Sequence, residues 1–169
     1  MNEARVVQVN VSSGGIPKRA VPEGRLAPTG VEGDRWAHPK IHGGPRQAVL
    51  LITDEGLAEL GALGFTLGPG ALGENLTTRG WDRRAVRVGQ QWRVGTAVVQ
   101  ITKLRAPCAT LNPLGSGIQA AIFDAAVKAG DWSSPRWGLS GFYAAVVEPG
   151  VVRAGDSITL IPSQRVQGP

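Results

Sequence analysis

Ala97-Val98-Val99-Gln100-Ile101-Thr102-Lys103-Leu104, followed directly by Arg105-Ala106-Pro107-Cys108, is the stretch that decides the fold. Its first eight residues are rich in β-branched side chains and lack helical spacing, so they read as a strand. Outward from it, residues 5–11 alternate enough for a first strand, and 48–52 form a short apolar run that suits a buried one. Two further strands are expected at 141–147 and 157–161. Residues 86–92 and 151–156 resemble each other and read as turns between strands. Twenty-four glycines and twelve prolines in 169 residues work against long helices. Two modest helices are expected. One has Thr53 as N-cap, Asp54 and Glu55 in a first turn where the helix dipole favours acids, and an end near Gly64. The other runs from about 118 to 129, where Ile118, Ala121, Ile122, Ala125 and Ala129 recur at helical spacing. The expected fold is mostly β: a barrel-like core with a few short peripheral helices, in a single domain over 1–169.

Composition narrows the function classes. A 42% hydrophobic content supports one packed core. A single cysteine allows no internal disulfide, which suits a reducing compartment. No secretion signal is visible, and no window approaches eighteen consecutive apolar residues, so a cytoplasmic location without membrane contact is expected. The net charge of +5 is uneven: residues 79–105 hold seven basic side chains against one acid, Asp82. A second basic group comprises Lys18, Arg19, Arg25, Arg35, Lys40 and Arg46. Such charge attracts an anion, or is simply a solvated basic face. Neither a P-loop nor a Gly-x-Gly-x-x-Gly fingerprint is present, which argues against nucleotide binding by those routes.

Cys108 is the residue best suited to chemistry. Pro107 fixes the backbone before it, and Arg105 is a cation that favours a nearby thiolate. A thiolate attacks as a nucleophile, carries a persulfide or binds a soft metal centre. The plain alternative is a buried small hydrophobe. Asp34 and His42 flank a Gly- and Pro-rich segment, where His42 either pairs with a distant thiol or closes a turn. Gly73-Glu74-Asn75-Leu76-Thr77-Thr78 is polar where a strand is expected, offering amides and hydroxyls either to a ligand or to its own turn. Trp132 and Trp137, near Ser133-Ser134-Pro135, are weak candidates for lining a pocket.

Five segments in order resemble the MOSC family (molybdenum cofactor sulfurase C-terminal domain). They are Gly30-Val31-Glu32-Gly33-Asp34, His42-Gly43-Gly44-Pro45 with Ala48-Val49, Gly73 through Thr78, Arg105-Ala106-Pro107-Cys108, and Gly141-Phe142-Tyr143 through Glu148-Pro149-Gly150. The chain looks most like small stand-alone bacterial members linked to resistance against N-hydroxylated purines. The resemblance implies a β-barrel and a molybdenum cofactor (molybdopterin), with Cys108 as the protein ligand to molybdenum. It implies reduction of small N-hydroxylated substrates with electrons from a partner reductase. An alternative for the family makes the same cysteine a sulfur carrier, loaded as a persulfide by a pyridoxal-phosphate-dependent cysteine desulfurase. By similarity, Lys18 and Arg19 are candidates for the pterin phosphate, Asn75, Thr77 and Arg105 for the surroundings of the pterin, and His42 and Asp34 for the pocket's shape.

The sequence departs from the family pattern at three places. His38 stands where relatives often have an acid, Gln90 replaces an aspartate common after the glycine at Gly89, and Ala145 replaces an arginine that frequently follows the Phe-Tyr pair. A non-catalytic module binding an anion or nucleic acid is the remaining reading. It ranks last, because no recognisable nucleic-acid fold or base-reading aromatic set accompanies the basic residues.

Overall fold

All five residues of one strand, Val49–Thr53, are buried, and the rest of the molecule is arranged around it. The computed structural model describes residues 3–36 and 42–163. In chain order the strands are β1 (Arg5–Val11), β2 (Arg19–Val21), β3 (Gly24–Ala27), β4 (Gly30–Val31), β5 (Val49–Thr53), β6 (Leu76–Arg79), β7 (Gln91–Val94), β8 (Ala97–Leu104), β9 (Phe142–Glu148), β10 (Gly150–Val152) and β11 (Ile158–Ile161). The helices are α1 (Asp54–Ala62), α2 (Ile118–Ile122) and α3 (Ala125–Lys128), with 3-10 turns at Pro45–Gln47 and Ala109–Leu114. The protein is therefore mostly β with few helices.

Eight strands form one sheet in the order β11-β7-β8-β9-β5-β6-β1-β2, and β10-β3-β4 form a second. The main sheet is antiparallel except for β5 and β6, which run parallel. A parallel pair cannot be joined by a hairpin, and α1 lies in the crossover between them. The ladder runs from β11 to β2 without closing. An isolated bridge nevertheless joins Arg5 to Ser157, and the Val6 and Ile158 amides donate to Asp156 and Ala4 carbonyls, each at 2.8 Å. The start of β1 thus meets the approach to β11.

The expected strands at 97–104 and 5–11 are found with those bounds, and the three others lie within one residue of expectation. Residues 86–90 form the expected turn, but Gln91 and Trp92 begin β7, and Val151 and Val152 belong to β10. The α1 cap is as read: the Gly56 amide donates to Thr53 Oγ1 at 3.0 Å. Thr53→Ala is expected to cost about 1 kcal/mol, because that amide loses its partner; a urea titration unchanged in midpoint would contradict it. The expected 118–129 helix is interrupted. Phe123 is extended, and Asp124 caps a new helix by accepting from the Val127 amide at 2.8 Å. Asp124 also takes Ser134 Oγ at 3.0 Å and Arg136 Nη1 at 3.2 Å, so local capping outcompetes apolar periodicity.

Two apolar clusters result. The larger includes Val9, Leu26, Leu51, Val99, Ile101, Phe142 and Ala144 from the sheets. The smaller is made by Ile52, Leu57, Leu60, Leu72, Leu111, Ile118, Ile122 and Leu139 where the helices cover the sheet. Leu72 and Leu111 of this second cluster also face the cavity described next. Among the described residues no helix is long and apolar enough to cross a membrane.

Candidate functional site

The alternation of β8 determines which side chains enter the site. Lys103 and Arg105 are two residues apart and share a face, while Leu104 between them packs against the core. The chain leaves the strand through Ala106 and Pro107 and presents Cys108 at the start of the Ala109–Leu114 turn. All of these except Leu104 line a cavity of about 360 Å³. Its other walls include Lys18, Arg35, Trp36, His42, Asn75 and Tyr143.

Cys108 is partly exposed, so it is not the buried hydrophobe that a free cysteine usually is. Its thiol donates to Thr110 Oγ1 at 3.1 Å. Arg105 is buried, with Nε donating to Ser140 O at 2.8 Å and Nη2 to Leu72 O at 3.0 Å. Burial pulls its guanidinium down from the ordinary value, against the opposing pull of Tyr143, Glu74 and Cys108. Arginine still keeps its proton in proteins, so a fixed cation lies behind the cysteine loop.

Lys18 and Asp34 form a buried ion pair at the cavity wall, their side chains 8% and 4% exposed. The same Asp34 oxygen, Oδ2, accepts from Asn75 Nδ2 at 2.9 Å, and Oδ1 accepts from the Ser12 amide at 2.9 Å. Asn75 in turn takes the Leu50 amide on its Oδ1 at 3.1 Å, tying the cavity to β5. Lys18 comes close to Gly70, whose carbonyl accepts the Lys18 amide at 2.9 Å. Gly70 has φ +87°, and a Cβ there would lie 2.1 Å from Lys18 O, so only glycine permits this approach.

Behind the wall stands Glu74, fully buried, which in the sequence is marked only by its place in the motif at 73–78. Its Oε1 accepts from the Gly70 amide at 2.6 Å and from Thr77 Oγ1 at 2.8 Å, while Oε2 is buried without a hydrogen-bond partner. Burial raises its carboxyl above the ordinary value, only partly offset by those bonds and by Arg105. Tyr143 likewise has its phenol raised by burial.

The candidate residues therefore divide. Cys108, Lys18, Asn75, Arg105 and His42 meet at one cavity, with Asp34 directly behind Lys18. Thr77 is fully buried and does not line it; it links Glu74 to Asn10, whose Nδ2 donates to Thr77 Oγ1 at 3.1 Å. Arg19 is exposed on β2 opposite Val11 and does not line it either. Trp132 is exposed and Trp137 is in the core, whereas Trp36 supplies the cavity's indole. Gly43, at φ +88°, makes room for that indole: a Cβ would sit 2.5 Å from the ring. Arg35, Lys103, Tyr143 and Trp36 are among the cavity residues that the sequence does not mark as site residues; for Lys103 the two-residue spacing to Arg105 is the available signal.

The basic run at 79–105 does not make one face. Arg83 and Arg105 are buried, Arg79 pairs with Asp54, and Arg93 pairs with Glu148 at 3.6 Å. Of the departures, Gln90 takes the Arg87 amide on its Oε1 at 2.8 Å, as Asp156 takes the Arg153 amide at 2.7 Å in the similar turn. Ala145 lies on the same face of β9 as Tyr143 but does not line the cavity, and His38 lies outside the described residues.

The MOSC domain pattern matches residues 38–159. The chain is 34% identical over 131 residues to the uncharacterized protein YflK of Bacillus subtilis, covering 77% of this chain and 55% of that one. It is 35% identical over 91 residues to protein YiiM of Escherichia coli, covering 52% of this chain and 41% of that one. The chain thus spans about half the length of the curated relatives it matches. The crystal structure of YiiM from Escherichia coli superposes with a TM-score of 0.69 at 25% identity, over 99% of this chain and 73% of that one. A hypothetical protein of known crystal structure gives 0.70 at 28%, over 96% and 70%. The chain belongs to the MOSC domain family, and its relatives include small stand-alone members of the YiiM type.

Proposed function

We propose that this protein binds the molybdenum cofactor, with Cys108 as the ligand to the metal, and reduces N-hydroxylated compounds. One observation carries the reading: a partly exposed thiol opens onto a cavity lined by four cations (Arg35, Lys103, Arg105 and Lys18, the last paired with Asp34 behind the wall) and, among the described lining residues, no carboxylate. That donor set fits the group, because a soft thiolate suits a sulfur-ligated metal and fixed cations suit an anionic pterin phosphate. Arg105, Lys18 and Asn75 are the residues to hold the pterin and its phosphate, with His42 at the wall. When bound, the cofactor supplies a metal centre that passes two electrons from a partner reductase to the substrate. Conversion of N–OH to N–H consumes those electrons with two protons and releases water.

The residues of the chain prepare the site. Asp34 holds Lys18 and Asn75 in one arrangement through a shared oxygen. Arg105, anchored by two carbonyls, presents its charge without having to reorganise. Leu50, Leu72, Leu111 and Ile16 supply apolar walls that limit water.

The test is metal analysis after expression in a host that makes the cofactor. Near-stoichiometric molybdenum is expected in the wild type and none in Cys108→Ala. Molybdenum retained by the variant would remove Cys108 as the ligand. The partial exposure of the same thiol also suits a sulfur carrier served by a cysteine desulfurase. That reading requires no retained metal and a gain of about 32 Da in intact mass, reversed by reductant.

A further inference from the structure

The four cations of the cavity are not equivalent. Lys18 is neutralised by Asp34, both being buried. Arg105 is buried, anchored on two carbonyls, and faces the Glu74 carboxyl behind it. Arg35 and Lys103 are both exposed cavity residues, and neither forms an ion pair with a carboxylate among the described residues; Lys103 is set apart by its seat. It is held by its cross-strand neighbour instead, with Nζ 5.6 Å from the centroid of the Tyr143 ring. The phenol is neutral near pH 7, and burial raises it further, so the ring steadies the ammonium without cancelling its charge.

A positioned, uncompensated cation at the exposed edge of the cavity is a fixed charge that an entering molecule meets. It shares a face and the cavity wall with Arg105 but is exposed where Arg105 is buried, so it addresses whatever is outward of a group held at Arg105 and Cys108. We propose that Lys103, seated on Tyr143, selects N-hydroxylated substrates that carry an anionic group, a phosphate or a carboxylate, over their neutral counterparts. This rests on the reductase reading of the cavity. It adds the charge class of the substrate, which that reading leaves open.

The experiment compares wild type and Lys103→Gln, both expressed in a cofactor-making host. Two substrate pairs are used: an N-hydroxylated purine base against its nucleoside 5′-monophosphate, and a carboxylate-bearing N-hydroxylated aromatic against its amide. The wild type is expected to prefer the anionic member of at least one pair, and which pair responds separates phosphate from carboxylate. In Lys103→Gln the ratio of kcat/KM for anionic over neutral substrate is expected to fall about tenfold, as for loss of one charge-assisted contact. Raising the salt concentration should erode the wild-type preference more than the variant's, which keeps Arg35 and Arg105. A ratio unchanged by the substitution overturns the proposal. So does a fall in molybdenum per chain in the variant, which would assign Lys103 to the cofactor instead. If the molybdenum-loaded wild type reduces none of the four compounds, the reductase reading fails. Equilibrium dialysis of the corresponding amino nucleoside monophosphate and its free base still tests Lys103. Tighter binding of the monophosphate, lost in Lys103→Gln, supports the recognition, and equal binding by both proteins ends it.

Discussion

Asp34→Ala is expected to lose about 3–5 kcal/mol of folding stability, although it deletes a single small side chain. The carboxylate is 4% exposed and serves three donors at once: the Lys18 ammonium, the Asn75 amide and the Ser12 backbone N–H. Deleting it strands a buried ammonium whose own side chain is 8% exposed, and an unpaired buried charge costs more than the intact pair contributes. The double variant Lys18→Met with Asp34→Leu removes both charges and should recover much of the loss. Urea titrations followed by tryptophan fluorescence report both. An Asp34→Ala unfolding free energy within about 1 kcal/mol of wild type would mean that Lys18 finds water or another partner. The same variant should show a larger spread of cavity conformations, since Asn75 and Lys18 no longer share an anchor.

Phe142→Ala is the second large effect, expected at about 3–5 kcal/mol. Phe142 is fully buried between two indoles, edge-on to Trp81 with centroids 5.6 Å apart and to Trp137 at 6.4 Å. It fills the space over Gly138, where a Cβ would come within 2.6 Å of the ring. Removing the ring opens a cavity that rigid strands on both sides of β9 cannot close, since β5 and β8 both pair with it. For a chain of this size the melting temperature should drop by roughly 6–20 °C. Phe142→Leu, which keeps most of the volume, should lose clearly less. Equal melting temperatures for the two variants would show that the aromatic contacts, not the filled volume, set the cost. Because Tyr143 is the next residue and faces the other way, Phe142→Ala also loosens the ring on which Lys103 rests.

Strands whose burial is continuous or whose β-branched content is high were legible from sequence, as Arg5–Val11 and Ala97–Leu104 illustrate, and so was the Thr53 cap. These signals are local, and local chemistry decides them. The 118–129 segment misled because apolar spacing ran through Asp124, whose side chain finds Val127, Ser134 and Arg136 and so starts a separate helix. At the site, Cys108, Arg105 and Asn75 stood in recognisable motifs. Glu74 sat within one such motif, yet its burial depends on contacts with Gly70 and Thr77 inside a closed loop. The resemblance to the family makes Thr77 a candidate for the surroundings of the pterin. The strand turns its hydroxyl inward to Glu74 and Asn10 instead. Trp36 carried no local mark at all: it is the glycines at 30 and 43 that give it space.

The bridge between Arg5 and Ser157 has a bearing on how the protein is made. About 150 residues separate the two, so the first strand emerges from the ribosome roughly 8–30 s before its last partner at ordinary synthesis rates. During that interval the valines of β1 are held only by β2 and, later, β6. A nascent chain stalled before residue 155 leaves part of an apolar strand edge open to other chains, which makes early termination products of this protein natural clients for chaperones.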